Sequence, residues 1–199
     1  KDAVILNSYE RCCKDKVAFA ENFHVVETYA NMQNPPVLVE PVGNGYVQIN
    51  PTWPPATQEE MDSFWDLPYT KLPHPRYKGK HIPAFEMIKF SVNTHRGCFG
   101  GCNFCTIAAH QGKFIQSRSE ESILKEIAAL NRLPGFAGNI SDVGAPTANM
   151  YGMRRKNPEL CLKCRRKSCL FPGPCKNMDR SHERLLKLYE RIAKVKGIR

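Results

Sequence analysis

Phe90-Ser-Val-Asn-Thr-His-Arg-Gly-Cys-Phe-Gly-Gly-Cys-Asn-Phe-Cys105 decides how this sequence reads. Three cysteines, Cys98, Cys102 and Cys105, fall in the spacing C-x3-C-x2-C. A four-iron cluster has four corners. Three thiolates leave one iron with an open position, which is what metal chemistry requires. Gly97, Gly100 and Gly101 let the loop turn tightly and let backbone approach an inorganic core. The competing reading is a zinc knuckle, with His95 or His110 completing a tetrahedral set.

Working outward, Met87 to Val92 predicts a strand entering the cysteine loop. Ser117-Arg-Ser-Glu-Glu-Ser122 supplies caps for a helix to Leu130, with Ile123, Leu124, Ile127 and Leu130 on one face. Asn139 to Val143 predicts a second strand, followed by Gly144 and Ala145. Ser181 then caps a helix to about Lys196, with Leu185, Leu188, Ile192 and Val195 inward. Strand, loop, helix, strand, loop, helix describes two βα units of a parallel sheet. Sites in such sheets lie at the C-terminal ends of strands.

Upstream, the pattern is irregular and proline-rich. Asp15 to Tyr29 predicts a helix with Val17, Phe19, Phe23 and Val26 as its apolar stripe. Val37 to Glu40 and Tyr46 to Ile49 predict a hairpin around Gly43-Asn-Gly45. Thr57 and Glu60 form a capping-box signature for a helix from Gln58 to Trp65. Trp53 and Trp65 are expected to anchor the proline-rich segment by packing. The organisation expected is an upstream segment, residues 1–86, and a core, residues 87–199, with a cysteine-rich insert at 152–178.

The chain has 199 residues, nine cysteines and a net charge of +10. No apolar run is long enough to span a membrane, and no secretion signal opens the sequence. Seven cysteines in two tight clusters therefore point to metal ligation in a reducing cytoplasm rather than to disulfides. Cys12 and Cys13 read as ordinary free thiols. The first residue is Lys1, so the sequence is expected to be a piece of a longer protein. The second cluster, Cys161, Cys164, Cys169 and Cys175, offers four thiols for zinc or a further iron–sulfur cluster. Alternatively these thiols are unligated, or form disulfides on oxidation. The basic balance admits a nucleic-acid partner, so the runner-up function is a zinc-binding module with a basic nucleic-acid-contacting face. Arg118 either anchors a carboxylate or caps a helix, and His110 to Lys113 reads as a solvated loop.

The cysteine stretch resembles the YgiQ-type family of the radical SAM superfamily. So do His110-Gln-Gly112, Gln116 to Ser122, Pro146-Thr-Ala-Asn-Met-Tyr151, and upstream Leu67-Pro-Tyr69 and His81-Ile-Pro83. The resemblance covers nearly the whole chain. It implies an α/β fold: the first two βα units of a partial TIM-like barrel. It implies that Cys98, Cys102 and Cys105 hold a [4Fe–4S] cluster and that S-adenosylmethionine completes it, with a flavodoxin- or ferredoxin-type electron donor. It places Phe104 beside the adenine, and Asp142 and Gly144 at the contact to the methionyl amino group. Ala145 stands where the superfamily usually has a second glycine.

Overall fold

In the computed structural model, residues 3–30, 32–145, 149–162 and 164–199 are described. The elements run β1 (Val4–Ile5), α1 (Tyr9–Lys14), α2 (Lys16–Ala30), β2 (Leu38–Val42), β3 (Gly45–Ile49), α3 (Gln58–Trp65) and α4 (Pro83–Ile88). They continue with β4 (Ser91–Asn93), β5 (His95–Arg96), α5 (Ile107–Gln111), β6 (Gln116–Ser117), α6 (Glu120–Leu130) and β7 (Asp142–Gly144). Last come β8 (Arg154–Arg155), α7 (Glu159–Leu162), β9 (Met178–Asp179) and α8 (Glu183–Ile192). No helix among the described residues is long and apolar enough to cross a membrane.

These elements form two compact units, each assembled from separate stretches. The first comprises Lys1–Pro55, Cys98–Phe114 and Arg154–Asp179. Its sheet runs β1-β2-β3, with β1 parallel to β2 and β2 antiparallel to β3. The hairpin turns at Gly43, whose positive φ of 54° suits glycine. Helix α2 forms as its sequence predicts, but the expected stripe is wrong. Val17, Phe19 and Phe23 are exposed, while Ala18 and Asn22 are buried. The reason is polar: Asn22 accepts from Asn7 N at 2.8 Å and donates to Asn7 O at 2.9 Å. That reciprocal pair turns the 18/22 face of the helix toward the chain leaving β1.

The second unit comprises Ala56–Gly97, Ile115–Met153 and Arg180–Arg199. Strands β4 and β7 pair in parallel, Ser91 opposite Asp142 and Asn93 opposite Gly144. Val92, Ile123, Ile127, Leu130, Tyr151, Leu185, Leu188 and Ile192 make its core, so the apolar faces expected for α6 and α8 are the ones buried. Ser119 caps α6 by accepting from Ser122 N at 3.0 Å. Both halves of the capping box at Thr57 and Glu60 are formed.

The sheets are small and open, so the fold is mixed α/β, with β1–β2 and β4–β7 as the parallel pairs among the described residues. Three boundaries differ from expectation, one being helix α8, which ends at Ile192 rather than near Lys196. Met87 and Ile88 belong to helix α4 and are exposed, and β4 starts only at Ser91. Pro83 at the helix start sets φ for the first turn, and the Glu86–Lys89 pair supports it at 2.6 Å. Strand β7 is likewise shorter, Asp142–Gly144, because β4 offers only three partners. Trp53 is 91% exposed and anchors nothing. Trp65 is half-buried and carries the Arg118 guanidinium 5.0 Å above its ring.

Candidate metal centre and its supports

The three cysteines lie in the first unit, on a loop tied at both ends of its turn. Cys98 N donates to Gly112 O at 3.0 Å, and Cys105 N donates to Cys102 O at 3.1 Å. Gly100 N points at Cys98 Sγ at 3.4 Å. A Cβ built on Gly100 would stand 3.3 Å from Cys98 Sγ and 3.7 Å from Cys102 Sγ. Only glycine leaves that space between two sulfurs open. Among the described residues, no three His, Cys, Asp or Glu side chains are already gathered as a metal-holding group. Cys98 and Cys105 are half-buried and Cys102 is exposed, as is Phe104 at 91%.

The loop rests on the cysteine-rich insert. Cys169 N donates to Phe99 O at 3.0 Å, and Ser168 Oγ donates to Gly100 O at 2.6 Å. Gly101 has φ of +64°, and a Cβ there would stand 2.8 Å from Ser168 Cβ. Gly101 is therefore glycine for two reasons, conformation and close approach. Lys113, expected in a solvated loop, is 3% exposed. Its ammonium donates to Arg166 O at 2.7 Å. His110 lies in α5 and is exposed. In the insert, Cys161, Cys164, Cys169 and Cys175 are all free and half-buried. Burial pushes the Cys169 thiol pKa up; Lys113 opposes this, and the Cys175, Cys164 and Cys161 thiols add to it.

The second unit holds Asp142 and Gly144 at the end of β7. Gly144 O accepts from Thr94 N at 2.7 Å and from Thr94 Oγ1 at 3.1 Å. A carbonyl has two lone pairs, so this one is fully used. The Asp142 carboxylate oxygens both stand 3.5 Å from a Cβ placed on Gly144, so the carboxylate folds over that glycine. Pro146, Thr147 and Ala148 of the quoted motif lie outside the described residues.

His95, the sequence's candidate fourth ligand for a zinc knuckle, lies in the second unit. It is 1% exposed, and burial lowers its pKa to about 4, so the ring is neutral. Since the Thr94 hydroxyl donates to Gly144 O, its oxygen accepts from His95 Nδ1 at 2.9 Å. That assigns the proton to Nδ1 and leaves Nε2 as a buried lone pair with no hydrogen-bond partner.

Arg118 settles as an anchor rather than a cap. It is 1% exposed, donates to Asn93 O at 2.7 Å and Ser122 O at 2.9 Å, and pairs with Glu126, which also pairs with Lys71. The guanidinium thus locks the start of α6 to the end of β4. Beside it lies a cavity of about 410 Å³, lined among others by Trp65, Lys71, Ser91, Asn93 and Glu126. Sequence reading missed this cluster. Its available signal was spacing: Ser122 and Glu126 fall four apart on one face of α6, and Arg118 stands four residues before Ser122, just ahead of the helix.

The sequence signature described as Radical SAM N-terminal matches residues 1–91. A UPF0313 protein of Bacteroides thetaiotaomicron is 51% identical over 198 residues, covering all of this chain and 32% of that protein. One from Porphyromonas gingivalis is 49% identical over 189 residues, 95% of this chain and 30% of its own. The UPF0313 protein YgiQ of Escherichia coli K12 is 48% identical over 200 residues, the whole of this chain and 27% of its own. The chain thus spans about a third or less of the curated relatives it matches. It belongs to the YgiQ-type UPF0313 family of the radical SAM superfamily.

Proposed function

We propose that this chain carries the cluster-binding part of a radical SAM enzyme, with Cys98, Cys102 and Cys105 each holding one iron of a [4Fe–4S] cluster. One observation carries the reading: the space at Gly100, between Cys98 Sγ and Cys102 Sγ, which any side chain would fill. Three soft thiolate donors suit iron–sulfur chemistry. Held by these three cysteines, the cluster would supply one-electron reduction of S-adenosylmethionine, the chemistry of the superfamily.

The chain's own residues do the holding and positioning. Gly100 N donates to Cys98 Sγ and so orients that sulfur. The bonds from Ser168 and Cys169 fix the carbonyls at Gly100 and Phe99, and so aim the neighbouring N–H groups. Phe104, exposed beside Cys105, offers an aromatic face to the adenine. Asp142 offers an exposed carboxylate to the methionyl ammonium. Gly144 contributes space rather than its carbonyl, which Thr94 occupies. A partial TIM-like barrel is the architecture this reading assumes, with β4 and β7 as its first two strands. The electron would come from a flavodoxin- or ferredoxin-type donor in the cytoplasm. A chain of net charge +10 suits an acidic donor.

The test is anaerobic reconstitution of the full-length protein, followed by reduction and assay for 5′-deoxyadenosine. Release above a Cys102→Ala control is expected. A colourless protein carrying zinc on Cys98, Cys102 and Cys105 defeats the proposal.

A further inference from the structure

The insert Arg154–Asp179 has little apolar burial or regular structure among its described residues. Its regular structure is a four-residue helix, α7, and the two-residue strand pair β8–β9. Leu160 is 65% exposed and Phe171 75%, with Leu162 and Leu170 exposed as well. Ser168 and Met178 are its buried residues among those described. A segment this small cannot be ordered by apolar burial, and such segments are usually stapled by metal or disulfide.

Its four cysteines are paired by the backbone. Cys164 N donates to Cys161 O at 3.2 Å, and Cys175 N donates to Cys169 O at 2.7 Å. Each pair therefore sits across a closed turn. Arg166, between the two turns, donates from Nη2 to Phe171 O at 2.9 Å and Gly173 O at 2.7 Å, which ties it to the second turn. The electrostatic neighbours of the Cys169 thiol include the other three. Asn177 Nδ2 donates to Cys161 Sγ at 3.5 Å, the kind of outer bond that orients a ligand.

We propose that Cys161, Cys164, Cys169 and Cys175 bind one structural zinc ion, which braces the insert against the loop bearing Cys98, Cys102 and Cys105. Four thiolates close a tetrahedral zinc site and leave no open position, as a structural role requires. The C-x2-C spacing of Cys161 and Cys164 is the usual zinc turn. Binding displaces one proton from each thiol, and the four thiolates with the dication leave two negative charges. Lys113, whose charge acts on Cys169, offsets part of this, and Arg165, Arg166 and Lys176 lie close by in the sequence. Zinc is not reduced or oxidised, so the site takes no part in electron transfer. The sulfurs are not yet gathered as a coordination group, so binding includes side-chain rotation. The bracing follows from position. Cys169 N holds Phe99 O, and Ser168 next to it holds Gly100 O.

The experiment uses the full-length protein with Cys98→Ala, Cys102→Ala and Cys105→Ala, which removes the other thiol loop. Metal analysis after chelator-free purification should find about one zinc per chain. Adding Cys164→Ser or Cys175→Ser should lower it at least fivefold. Cobalt in place of zinc should show sulfur-to-cobalt charge transfer. Because a variant can fail to fold, the unsubstituted protein is also alkylated with and without zinc. Zinc should protect Cys161, Cys164, Cys169 and Cys175 together. Zinc below a fifth of stoichiometry even after zinc addition overturns the proposal. So do zinc unchanged by both serine variants, iron in place of zinc, and disulfides among these four residues in anaerobically isolated protein.

Discussion

His95 makes the stability of the second unit depend on pH in a window where histidine usually does not. Its pKa falls from 6.5 to about 4 because burial penalises the charged ring. In the unfolded chain the same ring titrates near 6.5. Between these values the unfolded state binds a proton that the folded state refuses. Stability is therefore fully present above about pH 6.5 and is lost as pH falls toward about 4. At about 1.36 kcal/mol per pKa unit, the loss is about 3 kcal/mol. The perturbation is His95→Gln, an uncharged side chain of similar reach whose amide can still donate to Thr94 Oγ1. The assay is urea unfolding followed by circular dichroism across this pH range, in both proteins. Other titrating groups are common to both and cancel in the difference. The wild type should lose about 3 kcal/mol more than His95→Gln between the two ends. Parallel pH profiles would refute the reasoning, and would mean that His95 is solvated or takes its proton in place.

Other perturbations test the remaining supports. Glu126→Gln leaves Arg118 cationic, buried and without its carboxylate. A loss of about 3 kcal/mol in urea is expected, and a loss under about 1 kcal/mol contradicts a buried pair. Gly101→Ala places a methyl against Ser168 in a backbone conformation that favours glycine. Iron uptake on reconstitution should fall severalfold, with less effect from Gly138→Ala at a site remote in sequence from the cysteines, where the chain also has positive φ. Asn22→Ala removes both bonds to the Asn7 backbone and should cost about 2 kcal/mol, read from the denaturant midpoint. Asn22→Asp can keep the acceptor bond to Asn7 N but not the donor bond, so it should recover only part.

What was legible in the sequence is what local physics controls. The capping box at Thr57 and Glu60, the Gly43 hairpin and the apolar face of α6 all depend on residues a few positions apart. Their residues match the structures they form. The short parallel pair β4–β7 was legible in kind but not in extent. Pro83 and Glu86 extend helix into Met87 and Ile88, which a strand reading claimed. On α2, hydrophobicity pointed to Phe19 and Phe23, yet one asparagine bound to Asn7 decides which face is buried. Arg118 and His95 were illegible for a related reason. Their charge states and roles follow from burial, which distant strands and helices provide. The contacts of Ser168 and Lys113 join loops without periodicity, so no pattern announces them. For the candidate metal centre, the spacing of Cys98, Cys102 and Cys105 was plain. What presses on their loop was not.

The two units are interleaved along the chain, which passes between them after Pro55, Gly97, Phe114, Met153 and Asp179. A ribosome delivers residues in order. The first unit therefore lacks its last stretch until Asp179 has emerged, by which time most of the second unit is already outside. Neither unit can be completed alone during synthesis, and contacts such as Ser168 to Gly100 must close across a long, already translated excursion. No single truncation isolates either unit. For a loop proposed to carry an iron–sulfur cluster, that order sets a schedule. The surface on which the loop rests is among the late arrivals, so loading belongs after synthesis of the insert rather than at the emergence of Cys105.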